Sequence, residues 1–269
     1  MIFSTDDTIV MGILNLTEDS FYDGGKYKNK SQIIEHCKKM LDEGAKIIDI
    51  GAQTSKPGSN ILPSKSELKK LLPVIELLKT EFPNIIISID TFWSETAKKC
   101  IQQGADIIND ISAGNIDNKM FDTISKLQIP YIIMHMKGIP KNMQKKPIYT
   151  NSVDEIIEFF RKKIKKLHQK DIYNIVIDPG FGFGKTLEHN YEILNHLEKF
   201  KEFNLPILVG TSRKSMIYKI LDTTAENSLN GTSITNTLAL QKNINILRVH
   251  DVKEAMECIK ITKFAKNNM

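Results

Sequence analysis

Arginine is almost missing from this chain. Lysine and arginine together number 37 in 269 residues, yet the only arginines are Arg161, Arg213 and Arg248. An arginine-rich nucleic-acid surface is therefore excluded. The densest basic run, Arg161 to Lys170, has no interleaved aromatics and reads as the solvated face of a helix whose inner side carries Ile164 and Leu167. Cysteine is scarce as well. Cys37, Cys100 and Cys258 are odd in number, widely spaced and on helical-looking stretches. That leaves no disulfide framework or zinc spacing, and the three read as buried thiols in a reducing compartment. Long apolar runs are missing too: none approaches the roughly 18 residues that would span a bilayer. The first apolar stretch is preceded by Asp6 and Asp7, the wrong charge for a secretory leader. The expectation is a cytoplasmic protein with neither a membrane nor a nucleic-acid partner.

What is present is ordinary in amount: 41% hydrophobic, 26% charged, with a net charge of +5 that suits small anionic ligands. The arrangement is more informative. Eight short apolar runs each stop on a polar or charged residue. They are TIVMGILN to Asn15, KIIDIG around Asp49, NIIISID to Asp90, DIIND to Asn109 and Asp110, YIIMHM around His135, NIVIDPG to Asp178, PILVGTSRK to Lys214, and INILRVHD from Arg248 to Asp251. Rich in Ile and Val without strict alternation, they read as strands buried on both faces. Helical patterns separate them, at about 31–44, 64–81, 94–104, 117–128, 151–170, 188–202, 228–241 and 252–266. Ser31 and Ser94 are candidate N-caps, and Ser64 with Glu67 is a candidate capping box. Gly44, Gly104 and Gly231 read as turn punctuation.

Strictly alternating strands and helices build parallel sheets. A (β/α)₈ barrel takes about 250 residues, and no repeat, linker or shift in composition interrupts residues 1–269. The expected fold is α/β, one TIM-barrel domain with its polar strand ends gathered at a single mouth. The segments at about 16–30 and 51–63 are longer than connectors need and read as lids over that mouth.

Three groups of residues carry chemistry. DPGFGFGKT (178–186) is neither a P-loop nor a dinucleotide fingerprint, because proline holds position 179 and Lys185 stands where the third fingerprint glycine belongs. It remains a strand-end aspartate followed by a glycine-rich turn that lets backbone approach a ligand. Asp90, Asn109 and Asp178 each follow an apolar run and together suit a planar heterocycle with ring nitrogens and an amino group. Left unpaired they would cost about 1–3 kcal/mol each. Arg213, Lys214, Arg248 and His250 form a cationic set at the ends of the last two runs, where this architecture commonly holds phosphate. Two of the three arginines fall there, as a need for the planar bidentate guanidinium would dictate. His135 reads as a core histidine.

VMGILNLTEDSFYDGG (10–25), SIDT (88–91), IINDI (107–111), MHM (134–136), DPGFGFGK (178–185), VGTSRKSMI (209–217) and RVHDVKEA (248–255) stand in the order found in dihydropteroate synthases. The chain resembles that family nearly end to end. The resemblance implies a homodimeric barrel that joins 7,8-dihydropterin-6-ylmethyl diphosphate to 4-aminobenzoate and releases pyrophosphate. It implies that Asp90, Asn109, Asp178 and Lys214 hold the pterin, with Phe183 of the glycine-rich turn among the substrate contacts. It implies that Arg248 lies against the pterin and reaches the phosphates with His250, and that Asn15 helps coordinate Mg²⁺ on the leaving group. Phe21 and Asp23, with Ser55, Lys56 and Pro57, would close over the aminobenzoate, and Ser212 would meet its carboxylate. Asp23 and Asp90 would stabilise positive charge at the methylene, beside Lys214 and Arg248. Asp49 and His135 are left as structural.

Two departures stand out. Glu18 replaces the family's usual proline, and Lys56 replaces arginine in Thr54-Ser55-Lys56-Pro57-Gly58, keeping the charge without the fork. Two other readings share parts of the pattern. A methyltetrahydrofolate:corrinoid methyltransferase domain would keep the pterin groups but lack the blocks at 16–25 and 248–250. A non-catalytic pterin-binding paralogue would not need Asn15, Asp23, Lys214, Arg248 and His250 together.

Overall fold

The computed structural model describes residues 8–16, 28–53, 61–138, 143 and 147–268. All eight apolar runs form strands: β1 (Ile9–Asn15), β2 (Ile47–Gly51), β3 (Ile86–Asp90), β4 (Ile107–Asp110), β5 (Tyr131–Met134), β6 (Ile175–Asp178), β7 (Leu208–Val209) and β8 (Ile246–Val249). They pair in parallel in the order β6-β5-β4-β3-β2-β1-β8-β7. A parallel bridge from Ile177 to Ile207 brings β6 to the β7 edge and nearly closes the barrel. Between the strands run α1 (Lys28–Asp42), α2 (Ser64–Glu81), α3 (Ser94–Gln102), α4 (Met120–Leu127), α5 (Ser152–His168), α6 (Leu187–Asn195), α7 (Ser215–Tyr218) and α8 (Leu229–Gln241), and α9 (Val252–Asn267) follows β8. None of the described helices is long and apolar enough to cross a membrane.

Side chains alternate across each strand, so the two faces of the barrel wall have separate jobs. Outward residues such as Val10, Ile48, Ile87, Ile108, Ile133, Ile177 and Leu247 pack against the helices in the main core, which also buries the three free thiols. Inward residues Met11, Ile47, Ile107, Ile132, Val176, Leu208 and Ile246 form a second, smaller core that plugs the barrel. One inward step further along, four of these strands turn polar, at Asp49, Asn109, Asp178 and Arg248, β3 follows Ile86 with Ser88, and the others carry Ile13, Met134 and Gly210. The register sets Asp49 opposite Ser88, and both Gly51 and Asn109 opposite Asp90, and a side-chain bond of 3.1 Å joins Asn109 to Asp49 across these strands.

One helix start and several caps differ from the sequence reading, while α2 and α3 begin at Ser64 and Ser94 as expected. α1 begins at Lys28, so Ser31 lies inside it. Pro63 and Trp93 occupy the caps of α2 and α3 without a side-chain cap bond. The capping box of Ser64 and Glu67 does not form: Glu67 turns inward to accept from the Thr91 hydroxyl at 2.7 Å, and the Ser64 hydroxyl pairs with Thr96 at 2.9 Å. Gly231 is helical rather than a turn, and a Cβ there would come within 2.4 Å of Ile217 Cγ2, so it serves close packing of α8 on α7. The stretch 188–202 divides into α6 and a 3₁₀ segment at Leu197–Phe203.

Candidate functional site

The C-terminal ends of the strands surround a cavity of about 950 Å³. Asn15, Asp90, Asn109, Asp178, Phe183, Ser212, Lys214, Arg248 and His250 all line it, so every described site residue expected from the sequence reaches one space. Phe21, Asp23, Ser55, Lys56 and Pro57 lie outside the described residues, as does Glu18.

Arg248 is the centre of the arrangement. Its Nε donates to Asp49 Oδ2 at 2.7 Å and its Nη2 to Asp90 Oδ2 at 3.1 Å. Burial works against the guanidinium's charge, but Asp49 and Asp90 outweigh it and push its pKa up. Asp90 is raised to about 7, by burial first, with Arg248 opposing and the neighbouring carboxylates reinforcing. Asp49 is fully buried beneath the cavity, where its Oδ2 also accepts from Asn109 Nδ2 at 3.1 Å. It therefore sets the positions of two site residues at once, a role the sequence reading did not give it. The signal was parity: Asp49, Asn109 and Arg248 each sit two residues beyond an apolar inward neighbour. Asp110, one residue later, faces outward and takes bonds from Ser112 N, Gly114 N and the Tyr131 hydroxyl.

On the opposite wall, Asp178 Oδ1 accepts from Gly180 N at 2.7 Å. Burial raises its pKa, with Lys214 as the chief opposing influence. Lys214 donates to Phe181 O at 2.7 Å and stands 4.8 Å over the Phe183 ring, and burial lowers it to about 8. Ile13, Ile111, Met134 and Met143 supply apolar lining that the sequence reading did not single out, though three of the four fall in or beside the apolar runs.

The cationic set is narrower than its sequence pattern. Arg213 spends its fork on Asp251, with Nε to Oδ2 at 3.0 Å and Nη2 to Oδ1 at 2.6 Å. His250 is lowered to about 4, by burial and then by Arg248 and Arg213, and is neutral near pH 7. Ser212 Oγ accepts from His250 N at 3.2 Å and lies 3.0 Å from His250 Nδ1. A hydroxyl donating to Nδ1 leaves the imidazole proton on Nε2. His135 is buried against Lys185 and does not line the cavity. The described residues contain no group of three or more His, Cys, Asp or Glu that could hold a metal ion.

The arrangement offers a slot with carboxylates, an amide and an ammonium for a polar flat ring, and a guanidinium with a neutral N–H donor for an anion. Comparison with known proteins agrees with it. The family described as pterin binding enzyme matches residues 11–250. The dihydropteroate synthase of Escherichia coli K12 is 39% identical over 264 residues, covering 96% of this chain and 93% of that protein. The Yersinia pestis dihydropteroate synthase, solved with a sulfonamide drug, superposes with a TM-score of 0.92 at 37% identity, covering 98% of this chain and 96% of that one. The Xanthomonas albilineans enzyme, solved with 7,8-dihydropteroate, gives 0.87 at 32% identity over 98% and 95%.

Proposed function

Since the chain belongs to the pterin-binding enzymes and, among them, to the dihydropteroate synthases, we propose that its cavity joins 7,8-dihydropterin-6-ylmethyl diphosphate to 4-aminobenzoate. The observation that carries this is the layer in which Asp90, Asn109, Asp178, Lys214, Arg248 and His250 line one cavity above an apolar plug.

The pterin lies flat against Ile111, Met134 and Phe183. Asp178 and Asn109 take its ring N–H and amino groups, and the Lys214 ammonium donates to its carbonyl. The diphosphate faces Arg248 and the Nε2–H of His250. When the C–O bond at the pterin methylene breaks, negative charge grows on the departing pyrophosphate, and Arg248 meets it with a charge already fixed in place. Asp90 faces the positive charge left on the carbon. The arylamine nitrogen of 4-aminobenzoate then forms the new C–N bond, and its proton leaves to pyrophosphate or water. No serine or cysteine nucleophile takes part. Ser212, 3.0 Å from His250 Nδ1, orients that imidazole and meets the carboxylate of the aminobenzoate, as the resemblance implies. By the resemblance, Asp23 would face the developing cation, and Phe21, Ser55, Lys56 and Pro57 would cover the aminobenzoate.

Asn15, at the end of β1 on the diphosphate side, offers one amide oxygen. That donor fits a Mg²⁺ that arrives with the diphosphate and takes its other ligands from phosphate and water. Bound there, the ion would neutralise charge on the leaving group.

A homodimer is the assembly we propose. Ile234 and Leu238 on α8 and Ile261 and Phe264 on α9, the last 73% exposed, form an apolar face on two helices packed side by side. A monomer at micromolar concentration in analytical ultracentrifugation contradicts this.

The function is tested by pyrophosphate release from the purified protein with Mg²⁺. Release is expected only with both substrates present. Equal release without 4-aminobenzoate, or none with both, overturns the reading.

A further inference from the structure

Lys185 closes the glycine-rich stretch that looked like a phosphate loop, and the reaction above gives it nothing to do. It borders the cavity, yet its ammonium is turned to protein acceptors. It is 3% exposed, and its ammonium is surrounded by protein acceptors: Gly180 O at 2.8 Å, His135 Nδ1 at 3.0 Å, Phe183 O at 3.1 Å and His135 O at 3.2 Å. Three N–H donors are thus fully used inside the fold.

The turn after β6 sits directly on the backbone that leaves β5. A Cβ on Gly180 would lie 2.0 Å from His135 O, and one on Gly184 would lie 2.3 Å from Lys137 O; both glycines have positive φ, at 75° and 63°. Lys185 fills the polar gap between these two backbones. The same turn carries the parts that hold the pterin slot. Phe181 O receives the Lys214 ammonium, the Phe183 ring lies under it, and Gly180 N fixes Asp178. His135, which burial and Lys185 both keep neutral, serves as an acceptor here and not as an acid.

We propose that Lys185 is a positioning residue for the pterin half of the site: its ammonium staples the 180–183 turn to His135, and the stapled turn sets where Lys214 and Asp178 stand. The proposal explains why a lysine, rather than an apolar residue, is buried there. Only a group with three donors satisfies the carbonyls of both backbones and the imidazole together.

The test compares Lys185→Met and Lys185→Gln with the wild-type enzyme, using initial rates and hydrogen exchange across 179–186. Lys185→Met is expected to raise KM for the pterin diphosphate about tenfold, the effect of one well-made hydrogen bond lost. KM for 4-aminobenzoate stays at its wild-type value and exchange of the turn amides speeds up. Lys185→Gln, which keeps two donors, recovers part of both changes. A purely structural lysine would lower the unfolding temperature without splitting the two KM values. Folded Lys185→Met with wild-type pterin KM and wild-type exchange overturns the proposal. If that variant does not fold, wild-type values in Lys185→Gln overturn it equally. The inference rests on the cavity being the pterin site. Were the wild-type protein to release no pyrophosphate, that reading would fail, while the exchange comparison would still decide the staple.

Discussion

Ile47 and Asp49 stand two residues apart on β2, point into the same barrel and are both fully buried, yet one plugs the barrel and the other serves the site. The pattern repeats at Ile107 and Asn109, Val176 and Asp178, and Ile246 and Arg248. The backbone treats both layers alike, so the difference lies wholly in the side chains and in what they cost to bury. The lower layer holds itself by removing apolar area from water. The upper layer survives because its charges are paired, as Arg248 is with Asp49 and Asp90. An apolar plug beneath a charged layer also keeps water from screening those pairs from below, which strengthens them.

The largest expected effect comes from breaking the pairing. Arg248→Met leaves two buried carboxylates uncompensated and should cost about 3–5 kcal/mol in urea unfolding, with turnover lost. Adding Asp49→Asn should return much of the stability and none of the turnover. Stability that stays low in the double variant would mean that packing, not charge, sets the upper layer.

A smaller effect reads the same layer through pH. The Asp90 carboxyl, raised from 3.8 to about 7, holds more protons folded than unfolded between these values, so its contribution to stability falls as pH rises through that window. His250, lowered from 6.5 to about 4, acts in the opposite sense between those values, so its contribution is lost as pH falls. Asp90→Asn removes the first slope alone. The stability of the wild type relative to this variant should be greater at pH 5 than at pH 8, by on the order of 2 kcal/mol. An equal difference at both pH values would place the Asp90 titration near that of an ordinary carboxylate.

The smallest effect belongs to the one arginine away from the barrel mouth. Arg161 forms ion pairs with Glu158 and Glu202 on the open surface. Arg161→Ala should leave the unfolding temperature and turnover unchanged, because exposed pairs are screened. A clear loss of stability would show that pairing matters here for reasons other than burial.

The sequence made much of this visible. Eight apolar runs became eight strands because β-branched residues at both parities demand a wall covered on two sides. The polar ends marked the mouth because parallel strands all exit at one end. Less visible was which of two adjacent polar residues faces inward. Asn109 and Asp110 look alike in sequence, and only the register with β3 and β5 separates the site residue from the turn anchor. Asp49, flanked by Ile48 and Ile50, has no such rival, and its parity with inward Ile47 is legible. The helices at 64 and 94 begin where the sequence puts them, but their caps escaped local rules because tertiary partners, such as Thr91 for Glu67, outbid the capping geometry. Lys185 could not be placed without the fold, since its acceptors on residue 135 lie 50 positions away in sequence.

The measurement that tests the two-layer account most directly is calorimetric binding of a dihydropterin ligand to Asp178→Ala and Ile246→Ala, side by side. The account expects Asp178→Ala to fold and lose the ligand. It expects Ile246→Ala to lose about 2–5 kcal/mol of stability and to bind the ligand with near wild-type affinity. Retained affinity in Asp178→Ala together with lost affinity in folded Ile246→Ala would contradict it.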